Sequence, residues 1–162
     1  MEILTHLISF SAVPSEILLS LNKPATLSNF WKSTRLATNA FDGKLNQNIN
    51  SPCAHTDFAE INWIQVDLEA TFVISRVEIY NRIDCCWDRL YNVTIDVSFS
   101  DDMSNKQQCT SFLLITTESQ IESFNCKDST MGRYVRITQR HNKPEEFHLC
   151  EIQVFGWNST QR

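Results

Sequence analysis

Short runs in which apolar and polar residues alternate dominate this chain. The longer runs cover 63–68, 73–80 and 93–98, and shorter ones follow at 112–115, 134–138 and 152–155. Successive side chains of a strand point to opposite faces, so this period of two is typical of half-buried β-strands. The runs are rich in β-branched and aromatic residues, and no long segment has a helical period. The pattern predicts an all-β fold, an antiparallel β-sandwich or jelly roll of about eight strands.

The length of 162 residues suits one domain with its own hydrophobic core, which we place at 21–157. Residues 1–20 lean apolar, but no basic residue precedes Lys23, so they make a poor signal peptide as written. We interpret this segment as the remnant of a signal or as a strand that packs on the domain. Alternation over 17–21 favours a strand near its end, and 158–162 form a C-terminal tail.

Charge and cysteine content narrow the class of protein. The net charge is −5 and no basic stripe is present, so nucleic acid is not an expected partner. No apolar run is long enough to span a membrane. The six cysteines, with sequons at Asn92 and Asn158, favour an oxidising compartment and a secreted, extracellular protein.

Two of the cysteines, Cys85 and Cys86, are adjacent. Neighbouring Cα atoms lie about 3.8 Å apart, whereas an ordinary disulfide spans about 4.4–6.8 Å, so a bond between them would be strained. Strain of this kind persists where function needs it, and the two sulfurs would offer a polarizable apolar surface. Each cysteine could instead bridge to a distant one, since six cysteines allow 15 pairings. A zinc site is the weaker reading, because no pair of Cys-x-x-Cys units exists.

The segment Leu27–Cys53 lacks alternation and is rich in Asn, Ser and Thr. A long irregular segment in a compact domain is usually functional or held by something. The side-chain oxygens of Asn39 and Asp42 suit calcium, which prefers oxygen ligands. The alternative is a surface loop held by Asx turns.

A spaced set of polar residues surrounds the paired cysteines. His55 and Arg82 are separated by 26 residues, Asp84 follows Arg82 by two positions, and four residues separate Asp84 from Arg89. This set resembles the sequence motif of F-type lectins, the fucolectins, which also places the cysteine pair inside it. The resemblance extends from about 21 to 157, and includes Asn39–Gly43, Gly132–Val135 and Leu149–Glu151. It implies a β-sandwich jelly roll similar to the discoidin-like C domains of coagulation factors.

The resemblance implies binding of L-fucose without catalysis. Arg82 and Arg89 can only donate hydrogen bonds, which suits hydroxyl and ring oxygens, while neutral His55 can accept from a hydroxyl. We expect Asp84 to orient an arginine. The Cys85–Cys86 bridge is implied to pack against one edge of the sugar. The methyl group is implied to enter a pocket formed by Leu27, Trp31 and Ile49.

The resemblance also implies a structural calcium ion and a set of disulfides. The implied ligands are Asn39, Asp42, the carbonyl of Lys44, Ser51, the carbonyl of Cys150, and Glu151. The sequence departs from the family pattern here, because Lys44 brings a cation to the site and Pro52 stands where a serine is expected. The implied disulfides are Cys53–Cys150, Cys85–Cys86 and Cys109–Cys126.

The leading prediction is a secreted, calcium-containing lectin that recognises L-fucose-containing glycans in innate immune recognition or agglutination. A small homo-oligomer is expected, because one monosaccharide site binds weakly and several linked sites raise avidity. One alternative is an adhesion or gamete-recognition module that binds glycoproteins on the same scaffold. Another is a lipid-binding discoidin-like domain, although a membrane-lipid partner is not expected. No arrangement of nucleophile and base indicates an enzyme.

Overall fold

The structure is a computed structural model, and it describes residues 15–48, 50, 52–117 and 119–159. These residues form ten β-strands and two short 3₁₀-helices, at Ala37–Ala40 and Trp87–Arg89, with no α-helix among them. The strands are β1 (Ile17–Leu18), β2 (Ala25–Leu27), β3 (Ala54–His55), β4 (Ala59–Tyr80), β5 (Tyr91–Ser98), β6 (Gln107–Leu114), β7 (Ile121–Asn125), β8 (Met131–Glu145), β9 (His148–Leu149) and β10 (Glu151–Asn158).

The long strand β4 runs through one continuous eight-stranded antiparallel sheet, which curls into the two layers of the sandwich, here called the two sheets. Its first half pairs with β2 and β8, and β8 continues through β5 to β6. Its second half pairs with β10 and β7, and β10 pairs with β1. The register with β8 shifts between Asp67 and Phe72, where Glu69 has a φ of 65° and donates its backbone N–H to Asp67 at 2.7 Å. The strand bends there, which confirms an antiparallel sandwich.

The core lies between the two sheets and is built from the alternating residues. Ile64, Val66 and Leu68 are almost fully buried, as are Val135 and Ile137 on the neighbouring β8. The prediction from alternation is therefore confirmed. The strand count of ten exceeds the expected number of about eight because β3 and β9 have two residues each, which is too short to show a period.

Three disulfides tie the strands together. Cys53–Cys150 lies beside the small ladder in which β3 pairs with β9, and Cys109–Cys126 joins β6 to the segment after β7. Phe112 and Phe124 stack next to the second bond with ring centroids 4.2 Å apart. The third disulfide joins the neighbours Cys85 and Cys86. All three bonds are those that the family resemblance implies.

The sheet begins before residue 21. Ile17 pairs with Gly156, and Leu19 is buried in the core. The end of the segment 1–20 therefore packs on the domain, whereas residues 1–14 lie outside the described part of the chain. At the other end β10 runs to Asn158, and 160–162 are also outside it. In the described residues, no helix is long and apolar enough to cross a membrane.

Candidate functional site

His55 lies at the centre of the predicted polar cluster. It sits on β3 opposite His148, its side chain is buried, and the two rings meet edge to face at 5.4 Å. Within the described part of the chain neither ring nitrogen of His55 has a hydrogen-bond partner. Burial lowers the pKa of His55, and the positive charges of Arg82, Arg35 and Arg89 lower it further while Glu146 opposes them. The ring is therefore neutral at pH 7 and can accept a hydrogen bond.

Arg82 lies two residues after the end of β4 and is held in one orientation. Its Nε and Nη2 donate to the two carboxylate oxygens of Asp84 at 2.7 and 3.0 Å. Its own backbone N–H donates to the side chain of buried Asn81 at 2.8 Å. A planar bidentate pair of this kind fixes the guanidinium plane. Asp84 therefore orients Arg82, which is the role expected from the sequence.

Arg89 reaches the same cluster from the 3₁₀-helix Trp87–Arg89. Its Nη1 contacts the Glu146 carboxylate, and its Nε lies 3.5 Å from Glu145. The Glu146 carboxylate is also 3.7 Å from His55 Nε2, so it lies between the histidine and the arginine. Sequence reasoning did not find Glu145 or Glu146. The one available signal was two consecutive acids shortly before the motif Leu149–Glu151.

The disulfide between adjacent cysteines lies in the loop that carries the arginines. Its Cα atoms are 3.8 Å apart, Cys85 is exposed and Cys86 is half-buried. Cys86 has a φ of 60°, a left-handed conformation that is uncommon for a residue with a side chain. The bond thus presents sulfur to solvent between Arg82 and Arg89 in the chain.

Of the three residues predicted to hold a methyl group, Trp31 reaches the cluster. Its ring centroid is 4.9 Å from that of His55, and its backbone N–H donates to the His55 carbonyl at 3.3 Å. Leu27 instead packs against the core from β2 and lines a separate depression with Phe30 and Leu36. Ile49 lies outside the described residues.

A second group of predicted residues brings two carboxylates together. Glu151 is buried, and its burial together with the negative charge of Asp42 raises its pKa to about 8. It accepts hydrogen bonds from the backbone of Gly43 at 3.1 and 3.3 Å. The Lys44 ammonium lies 2.7 Å from Asp42. The Lys44 ammonium pairs with Asp42, whereas Glu151 accepts from backbone N–H groups, so the two carboxylates offer the oxygen donors that calcium prefers.

The remaining predicted metal ligands surround this pair in sequence. Asn39 donates from its amide nitrogen to the Thr34 carbonyl at 2.9 Å. Cys150, which precedes Glu151 in the chain, forms a disulfide with Cys53. Ser51 lies outside the described residues. No cluster of three or more His, Cys, Asp or Glu side chains forms a metal site in the described ranges. Asx turns also occur in this loop, at Asp42, Asn46 and Asn48.

Comparison with known proteins gives the family. A family profile described as "NedA-like, galactose-binding domain" matches residues 39–137. Fucolectin-6 of Anguilla japonica is 32% identical over 129 residues, which cover 79% of this chain and 67% of the relative. The chain belongs to the fucolectin, or F-type lectin, family. It spans about two thirds of the length of the curated fucolectins it matches.

Solved structures agree with this membership. An F-type lectin from the serum of striped bass, Morone saxatilis, superposes with a TM-score of 0.77 at 28% identity, over 87% of this chain and 47% of that one. The lectin-binding domain of lectinolysin, as a His 62 mutant complexed with Lewis b, superposes with a TM-score of 0.75 at 25% identity, over 86% of this chain and 96% of that domain. Lectins and carbohydrate-binding modules bind sugar without catalysis, in agreement with the absence of an enzyme motif in the sequence.

Proposed function

We propose that this fucolectin-family chain binds terminal L-fucose on glycans at the cluster of His55, Arg82 and Arg89. The observation that carries the proposal is His55, whose buried ring nitrogens have no partner in the described residues and feel the positive charges of Arg82, Arg35 and Arg89. A buried polar group without a partner is costly, so a ligand that bonds to it gains affinity. The names of the relatives and the Lewis b complex of lectinolysin support a fucosylated ligand.

The division of labour in the site follows from donor and acceptor chemistry. The two arginines supply donors for the lone pairs of sugar oxygens, and neutral His55 supplies an acceptor for a hydroxyl proton. The Glu146 carboxylate adds a second acceptor between His55 and Arg89. The Trp31 ring and the exposed disulfide offer apolar surface for the faces of the sugar that carry only C–H groups.

We also propose that the chain binds a structural calcium ion. Asn39, Asp42, Glu151 and the carbonyls of Lys44 and Cys150 would hold it, and Ser51 remains an expected ligand. The ion would supply the positive charge that the buried Glu151 lacks, and it would join the Leu27–Cys53 loop to β10. The Lys44 ammonium would then compete with the ion for Asp42.

The biological setting is proposed on the same grounds. Three disulfides suit an oxidising compartment, so we propose a secreted, extracellular protein that acts in innate immune recognition or agglutination. Agglutination needs several sites held together, and we propose a small homo-oligomer for that reason.

Titration calorimetry with L-fucose tests the sugar site. Arg82→Ala should cost about 2 kcal/mol of binding free energy, because a charged donor is lost and sugar oxygens stay unpaired. Arg82→Lys should restore binding only in part, since an ammonium does not reproduce the planar fork. Arg140→Ala is the matched control, because Arg140 is exposed on β8 and contacts Thr94 instead. Wild-type affinity in Arg82→Ala, Arg89→Ala and His55→Ala would contradict the proposal.

A further inference from the structure

An open apolar depression lies beside the loop that carries the disulfide. Its volume is about 590 Å³, and Ile83, Trp87 and Leu114 line it together with Thr117 and Gln120. Ile83, Trp87 and Leu114 are 54%, 52% and 52% exposed. Large apolar side chains gathered at one exposed place mark a binding surface more often than an accident of folding.

The loop that carries the disulfide contributes side chains both to the depression and to the polar cluster. Arg82 is buried next to His55, whereas the next residue, Ile83, is exposed in the depression. Trp87 lines the depression, and Arg89, two residues later, contacts Glu146 in the cluster. The disulfide lies between these two pairs in the chain. A ligand held by the arginines can therefore continue past the disulfide onto the Trp87 side.

The buried side-chain amide of Asn81 connects the depression to the polar cluster. Asn81 is fully buried, and its side-chain oxygen accepts from the Arg82 backbone at 2.8 Å. Its side-chain nitrogen donates to the Trp87 carbonyl at 2.9 Å and to Gln120 Oε1 at 3.0 Å. Gln120 in turn donates to the Thr117 carbonyl at 3.3 Å. The depression is thus built before any ligand arrives, and one side chain connects it to Arg82.

We propose that this depression is a subsite for the sugar to which the fucose is attached, with a pyranose ring stacked on the Trp87 indole. An exposed indole suits the C–H face of a pyranose. The Thr117 hydroxyl donates to the Ile121 carbonyl at 2.7 Å, but its lone pairs and the second amide N–H of Gln120 can still bond to sugar hydroxyls. The depression has the size of a small-molecule site, roughly 300–1,000 Å³. A stable protein interface would bury about 800 Å² on each partner, which calls for a larger and flatter surface. The inference rests on the proposed fucose site.

The test compares two ligands on the same protein by titration calorimetry, L-fucose and the Lewis b oligosaccharide. Wild type should bind the oligosaccharide more tightly than free fucose. In Trp87→Ala the ratio of the two affinities should fall about tenfold, as expected for the loss of one aromatic stacking contact. Trp87→Phe should recover part of that ratio. Phe99→Ala is the matched control, because Phe99 is 53% exposed and follows the opposite end of β5.

Each other outcome has a distinct meaning. The subsite proposal would be wrong if wild type bound fucose and the oligosaccharide with equal affinity. It would also be wrong if Trp87→Ala lost the same affinity for both ligands, because Trp87 would then only support the loop. If Trp87→Ala changed a dimer into a monomer by light scattering and left the affinity ratio intact, the surface would belong to a second copy of the chain. Failure of wild type to bind either sugar would instead contradict the proposed function.

Discussion

The protonation state of His55 controls what this side chain offers to a sugar. Burial lowers its pKa, so the neutral ring is the form present at pH 7. Protonation would convert the acceptor nitrogen into a donor and place a third cation beside Arg82 and Arg89. Glu146, 3.7 Å away, offsets part of that repulsion. His148 cannot share the proton, because burial lowers its own pKa to about 3.

We therefore expect fucose affinity to fall as the pH drops below the ordinary histidine value of about 6.5. Folding stability should change in the same direction as affinity. Because burial lowers the His55 pKa in the folded protein, the unfolded chain binds the proton at a higher pH, and folding stability falls as the pH drops below the ordinary histidine value. Calorimetry at pH 7.5, 6.5, 5.5 and 4.5, with circular dichroism to verify folding, measures the effect.

His141→Gln is the control for that pH series, since His141 is also buried but contacts Tyr91 instead of the cluster. It should keep the wild-type profile, whereas His55→Gln should flatten it. A flat wild-type profile down to pH 4.5 in folded protein would show that His55 does not act as an acceptor.

At the scale of elements, the loop between β4 and β5 carries most of the side chains of the proposed sugar site. It holds Arg82, the adjacent cysteines and Arg89, and Asn81 anchors its beginning to Trp87. The disulfide restricts the conformational freedom of the chain between the two arginines. Pre-organisation of this kind lowers the entropy lost when a ligand binds.

The double variant Cys85→Ser/Cys86→Ser should remain folded and bind fucose about tenfold more weakly, because the loop is no longer pre-organised. Calorimetry measures the affinity, and thermal unfolding measures the stability. Cys109→Ser/Cys126→Ser provides the contrast, because that bond joins the edges of the two sheets and its loss should lower stability instead. A proteolytic peptide that links the 81–89 segment to Cys109 or Cys126 would contradict the pairing.

At the scale of the whole molecule, an acidic side chain is buried where the irregular segment meets β10. Glu151 begins β10 and is buried beside Asp42, in the region that the Cys53–Cys150 bond also crosses. The Lys44 ammonium pairs with Asp42, whereas burial and the charge of Asp42 raise the pKa of Glu151, so the ionised form of Glu151 is disfavoured at this junction. The proposed calcium ion would thus stabilise the contact between the irregular loop and the second sheet.

Calcium at a concentration of one hundred times its dissociation constant should raise the melting temperature by about 5–10 °C. This shift follows from the linkage relation and from the size of the domain. Differential scanning calorimetry with calcium and with a chelator measures the shift. Glu151→Gln should reduce it strongly, and Glu60→Gln, at an exposed position of β4, should not. An unchanged melting temperature on chelation would show that Lys44 and Pro52 have abolished the site.

The sandwich could be predicted from the sequence, because side-chain alternation is a local property of each strand and can be recognised over 63–68 or 93–98 without knowledge of the partner strands. The sequence also indicates the chemistry of the arginine loop, since Arg82, Asp84 and the paired cysteines are close along the chain. The surroundings of His55, in contrast, could not be predicted, because they depend on contacts between remote segments. Glu146, His148 and Trp31 reach it from distant segments, through two-residue strands and a loop that have no period to read. Side chains meet there because the sheets bring remote segments together, and no local pattern records such contacts.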